Sequence, residues 1–238
     1  MQPLRCSSIG KIMGTAKSVP DDAPEEILAI FRKNKRSDEE KLALEAYKDS
    51  ILSETAKSYL NSLAKEGVYQ YRKELDIRVF AKGKECEETL IDMANRVFGM
   101  FLVKNTERRS DEFITGEPDL VLDDAIWDIK NAWSLDTFPP TPAEAHNDDY
   151  EWQLRGYMRL FDKPYARIVY GLVNTPEHLR RYEQADLHEV SHIPENMRIT
   201  VCDYKRDAKL EEKIIQKVAA AQAYIQRQTE LILGSHTF

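Results

Sequence analysis

The sequence predicts an α/β protein with a mixed central sheet flanked by helices and with helical additions at both ends. Three observations carry that expectation. Short apolar runs bounded by turn residues crowd into residues 101–131, and another follows at 165–173. Stretches with three- and four-residue apolar spacing lie on either side of these runs. Most of the first 66 residues and the last thirty read as helix. The chain is therefore expected to form one domain over 1–238. Its core covers about 80–175, with a helical insertion at about 20–66 and a C-terminal helical region at about 176–238.

Taken in order, Ser7 or Ser8 opens a short helix over 8–13 that Gly14 closes. Pro24, followed by Glu25 and Glu26, starts a second helix that runs to Arg32. Ser37-Asp38-Glu39-Glu40 is a capping box opening a long helix to about Lys65, with Gly67 as its stop. After Gly83, Leu90, Ile91, Ala94, Val97 and Phe98 form one apolar helical stripe. Strands are expected at 101–105, 112–115, 118–122, 126–131 and 165–173, and Arg198–Val201 also reads as one. Helices are expected at 148–161 and from Asp207 to Leu233.

Composition narrows the function classes. With 42% hydrophobic and 32% charged residues, the 238-residue chain can bury a sizeable core. No apolar run is long enough to cross a bilayer, and the N-terminal residues lack a secretory signal's apolar centre. Cys6, Cys86 and Cys202 are few and far apart. They point to reduced thiols in a cytoplasm and exclude a four-cysteine zinc or iron–sulfur site within the chain. A net charge of −7 argues against a protein that coats nucleic acid, although a nuclease gathers acids at its own site.

The chemistry concentrates in Gly116-Glu117-Pro118-Asp119-Leu120-Val121-Leu122-Asp123-Asp124-Ala125-Ile126-Trp127-Asp128-Ile129-Lys130. Two strands joined at Asp123-Asp124 would bring Asp119, Asp128 and Lys130 onto one surface. Ile126, Asp128 and Lys130 alternate onto the same side. Two carboxylates suit a hard divalent cation, and a neighbouring ammonium suits an attacking water or a phosphate oxygen. The set reads as metal-dependent phosphodiester cleavage; the plainer alternative for Asp128 and Lys130 is a surface ion pair of little worth. Extended back one turn, the Leu90 stripe reaches Glu87, an acid on the core side that needs a partner or a cation. The plainer alternative is a first-turn glutamate favoured by the helix dipole. Gln153 stands inside the stripe formed by Tyr150, Leu154, Tyr157, Met158 and Phe161, where an amide must find partners.

Together these residues resemble the PD-(D/E)XK nuclease superfamily. Pro118-Asp119 with Asp128-Ile129-Lys130 resembles its signature, and Gly83-Lys84-Glu85-Cys86-Glu87 its upstream glycine–glutamate element. Gln153-Leu154-Arg155-Gly156-Tyr157 is similar to the Gln-x-x-x-Tyr element of RecB-type nucleases. Arg5-Cys6-Ser7-Ser8 opening a helix resembles lambda-exonuclease and YqaJ-type viral recombination nucleases. The resemblance covers 1–14 and 80–175.

It implies a restriction-endonuclease-like core and a Mg²⁺-dependent DNA exonuclease, with Mn²⁺ as a substitute. Glu87, Asp119, Asp128 and the Ile129 carbonyl would be metal ligands. Lys130 would orient or deprotonate the attacking water, and Gln153 would position the site or touch the DNA backbone. Tyr157 would bind substrate or serve the core, and Arg5 and Ser8 would hold a 5′ phosphate. The implied partners are duplex DNA ends, further copies in a ring around DNA, and a single-strand annealing protein, all in a bacterial cytoplasm without a membrane.

Two other classes remain open at this point. One is a catalytically inactive nuclease fold kept for DNA binding or assembly. The other is a zinc hydrolase built on His188-Glu189-Val190-Ser191-His192, a pattern that works only on a helix. Pro194 follows at once, and no third ligand is evident. His146, His178 and His236 read as surface residues.

Overall fold

The computed structural model describes residues 2–71 and 78–236. A short strand β1 (Leu4–Arg5) runs into a 3-10 turn at Cys6–Ser8 and helix α1 (Gly10–Met13). Helices α2 (Glu25–Arg32), α3 (Asp38–Ser50), α4 (Glu54–Tyr69), α5 (Arg78–Glu85) and α6 (Glu87–Phe98) follow. Strands β2 (Arg109–Ser110), β3 (Ile114–Gly116), β4 (Leu120–Val121) and β5 (Ala125–Asn131) come next. Then follow α7 (Pro142–Ala145), α8 (Asp148–Phe161), β6 (Tyr165–Gly171), α9 (Glu177–Arg180), β7 (Ile199–Lys205) and α10 (Ala208–Gly234).

The strands form two sheets in the orders β1-β3-β2 and β4-β5-β6-β7. In the larger sheet only β5 and β6 run parallel, aligned from Ala125↔Tyr165 to Asn131↔Gly171; the neighbouring pairs are antiparallel. This is the mixed sheet that the sequence predicts. Its fourth strand, β7, lies beyond residue 175.

β5 separates two apolar cores. Ile126 enters one with Ile9, Ile12, Leu60, Leu154, Met158 and Ile214; Trp127 and Ile129 enter the other with Leu90, Ile91, Met93 and Ala94. Strand alternation sends neighbouring residues to opposite faces, so α6 covers one side of the sheet and α8 with α10 the other. A third, separate cluster of Val19, Leu28 and Leu44 holds α2 against α3.

Several expected elements shift. The helix expected from Ser37 to about Lys65 breaks at 51–53. Ser37 and Glu40 do form the capping box, but Ser53 caps a new helix by accepting the Ala56 N–H at 3.2 Å. Gly67 lies inside α4, which runs to Tyr69. Gly83 likewise lies within α5, and Cys86 separates that helix from α6. Residues 101–105 belong to no helix or sheet, and β3 starts two residues later than the expected strand. Ile9 rather than a serine occupies the position before α1, so neither Ser7 nor Ser8 caps it.

Candidate active site

The β4–β5 hairpin closes at Asp123-Asp124, where the Leu122 N–H donates to the Ala125 carbonyl at 2.8 Å. Its register sets Leu120 opposite Trp127, which places Asp119 beside the middle of β5. The Asp119 Oδ2 accepts the Ile129 N–H at 2.6 Å. Asp128 is buried, and its Oδ2 lies 2.6 Å from the Lys130 Nζ. The Lys130 ammonium also sits 4.6 Å from the centre of the Tyr150 ring on α8, a cation–π distance.

Gln153 comes from the same face of α8. Its Nε2 donates to Asp128 Oδ1 at 3.1 Å and to the Tyr157 hydroxyl at 2.9 Å, so the amide is matched inside the core. Glu87 begins α6 from the other side of the sheet. Its Oε2 takes the Lys104 ammonium at 2.9 Å, while its Oε1 is buried with no hydrogen-bond donor.

Burial, and next the Asp128 charge, pushes Asp119 up to about 7; Glu87 adds to the rise, while the Ile129 N–H and Lys130 oppose it. Burial pulls Lys130 down, but Asp128 foremost and then Asp119 outweigh it and keep the ammonium charged well above the usual lysine range. Burial, followed by Asp128, holds Tyr157 protonated.

The structure thus brings Asp119, Asp128, Lys130, Gln153 and Tyr157 together; Glu87 is near enough for its charge to act on Asp119, but the ligand oxygens of the three acids do not close on one point. The structure sets Arg5 and Ser8 against α4. Arg5 ends β1 opposite Thr115, and both residues face Tyr59 of α4. The HExxH stretch is no zinc site. His188 is buried off any helix, and its nitrogens are taken by Thr175 Oγ1 at 2.9 Å and Glu183 Oε2 at 3.1 Å. His192 is exposed, with its Nδ1 at the Glu189 carbonyl.

Two lysines at this end of the sheet were not legible as site residues. Lys104 is one. Lys82, fully buried on α5, is the other; it donates to the carbonyls of Ala132, Trp133 and Val173 at 2.7, 2.9 and 2.9 Å. It ties α5 to the chain just beyond β5 and β6. The signal available for both was a lysine close to the glycine–glutamate element or to the acid pair.

Two hairpin carboxylates with an ammonium held beside them thus stand on the central sheet of an α/β fold. Comparison with solved structures places that fold. A phage-related exonuclease from Haemophilus somnus 129PT superposes with a TM-score of 0.79 at 32% identity, covering 98% of this chain and 96% of that one. The chain belongs to the family of that phage-related exonuclease. The alkaline exonuclease LHK-Exo from Laribacter hongkongensis shares the fold at 11% identity, with a TM-score of 0.60 over 98% of this chain and 92% of that one. The same enzyme in complex with dAMP gives 0.59 at 13% identity. No family model and no curated protein matches the chain. No helix among the described residues is long and apolar enough to cross a membrane.

Proposed function

We propose that the protein is a Mg²⁺-dependent deoxyribonuclease that removes nucleotides from DNA ends in phage-type recombination or repair, with Mn²⁺ as an alternative cation. The observation that carries this reading is Glu87 Oε1, a buried carboxylate oxygen without a hydrogen-bond donor, on an acid whose charge reaches Asp119. Asp128 Oδ2 is paired with the Lys130 ammonium at 2.6 Å. Buried polar atoms normally find a partner, and an all-oxygen set of carboxylates suits a hard cation. Glu87, Asp119 and Asp128 would hold it, with the Ile129 carbonyl as a further oxygen. When bound, such a cation polarises a phosphoryl oxygen and lowers the pKa of a coordinated water.

The chain's own groups supply the rest. Lys130, kept charged by Asp128 and Asp119, orients the attacking water and faces the negative charge that develops on the phosphate. Gln153 fixes the Asp128 rotamer and Tyr157 supports Gln153, so both position the site more than they touch substrate. Arg5 and Ser8 are assigned to a 5′ phosphate. Arg5 is exposed and, among the described residues, has no carboxylate within ion-pair distance. A duplex end as substrate, a ring of copies and an annealing partner are the family's expectations and belong to the same proposal.

The test is digestion of end-labelled duplexes, with and without a 5′ phosphate, in Mg²⁺ and in chelator. Cleavage is expected only with the cation, and Asp128→Ala should reduce it by at least ~10³-fold while leaving the circular dichroism spectrum unchanged. Cleavage by Asp128→Ala protein at the native rate would remove the assignment. DNA binding without any turnover would make the protein the inactive module instead.

A further inference from the structure

Lys104 occupies a position that the nuclease reading leaves unassigned. Its ammonium lies 2.9 Å from Glu87 Oε2 and is half-exposed. The placement is built into the backbone on two sides. The Asn105 N–H donates to the Asp119 carbonyl at 2.7 Å, and the Asn105 side chain donates to the Pro118 carbonyl at 2.9 Å. Leu102 is tied to Asn95 of α6, the helix that presents Glu87: its N–H donates to Asn95 Oδ1, and its carbonyl accepts Asn95 Nδ2 at 3.2 Å. The segment carrying Lys104 is therefore stitched to both elements that supply acids.

The two lysines of the pocket differ in freedom. Lys130 is enclosed between Asp128 and the Tyr150 ring and is 22% exposed, whereas the Lys104 side chain is 45% exposed and has Glu87 as its acidic partner. With both ammoniums in place, three carboxylates face two positive charges. Withdrawing Lys104 leaves more of the acids' negative charge for a divalent cation to neutralise.

We propose that Lys104 is a resident counter-ion of the acids: it holds Glu87 through Oε2 in the metal-free protein, and its charge opposes a divalent cation taken by the free Oε1. Lys104 is thus a positioning residue that weakens cation affinity while keeping the empty pocket folded. The inference rests on the metal reading above.

It is tested by calorimetric titration of Mn²⁺ into the full-length wild-type, Lys104→Met, Lys104→Gln and Lys104→Arg proteins, with melting curves in chelator and in saturating Mn²⁺. Lys104→Met and Lys104→Gln should bind Mn²⁺ ~5-fold more tightly, the size of a half-exposed ion pair. They should melt below wild type in chelator and alongside it when loaded. Lys104→Arg, which keeps the charge, should bind at wild-type strength or more weakly. Equal or weaker Mn²⁺ binding by both neutral variants, or a gain in Lys104→Arg as large as theirs, overturns the proposal while leaving the metal site standing. Absence of Mn²⁺ binding by the wild-type protein overturns both.

Discussion

Gln153 shows how much a single residue can carry. An amide in the middle of an apolar stripe was legible in the sequence because burial demands partners for it, and the partners turn out to be Asp128 and Tyr157. Groups that orient a metal-binding carboxylate commonly matter ~10–100-fold for affinity or activity. Gln153→Leu, similar in size but unable to donate, should lower Mn²⁺ affinity and cleavage rate within that range, read by calorimetry and single-turnover digestion. Native values for both would reduce Gln153 to a packing residue. The hairpin acids were equally legible, since a turn and strict alternation leave little choice of face. Lys82 and Lys104 were not. A lysine in sequence reads as solvated surface, and neither spacing nor hydropathy records that three carbonyls converge on one of them or that a buried glutamate meets the other.

At the scale of elements, the sequence located most helices and the strand hairpin, because caps and periodicity are local. It missed the break at 51–53. Ile51 and Leu52 continue an apolar pattern, and only the competing cap at Ser53, together with the packing of Leu52, interrupts it. It also placed a strand at 101–105, where the chain spends its hydrogen bonds on Asn95 and Asp119 instead of on a sheet partner.

The seat of α6 on the sheet is a tertiary fact of the same kind. An ideal Cβ on Gly171 would lie 1.9 Å from Leu90 Cδ1 and 2.8 Å from Leu90 Cγ, and Leu90 is fully buried. Gly171→Ala must therefore displace the buried Leu90 side chain, or α6 and Glu87 with it, away from β6. Overpacking of this kind costs ~1–3 kcal/mol, a fall in Tm of roughly 3–10 °C at this chain length. Leu90→Ala opens the space, so adding Gly171→Ala to Leu90→Ala should cost far less than adding it to wild type. Equal costs in the two backgrounds would show that the contact does not set the helix.

For the whole molecule, the proposed cation site would draw on acids that folding itself brings together. Glu87 arrives on α6, Asp119 precedes β4, and Asp128 lies in the middle of β5 between the two apolar cores. Closing the fold forces their charges together, and burial with the Asp128 charge makes ionised Asp119 costly. A cation that binds only the assembled pocket must then stabilise the folded state by mass action, ~2.7 kcal/mol at a hundred times its dissociation constant. For a chain of this length that is a rise in Tm of roughly 5–10 °C on replacing chelator with saturating Mg²⁺ or Mn²⁺. Asp128→Ala removes one acid from the shared set, so its melting temperature should respond little to either cation. A wild-type melting temperature indifferent to the cation, or an Asp128→Ala protein that responds as strongly as wild type, would mean that the three acids do not act as one site. The ion would then have to bind elsewhere on the chain.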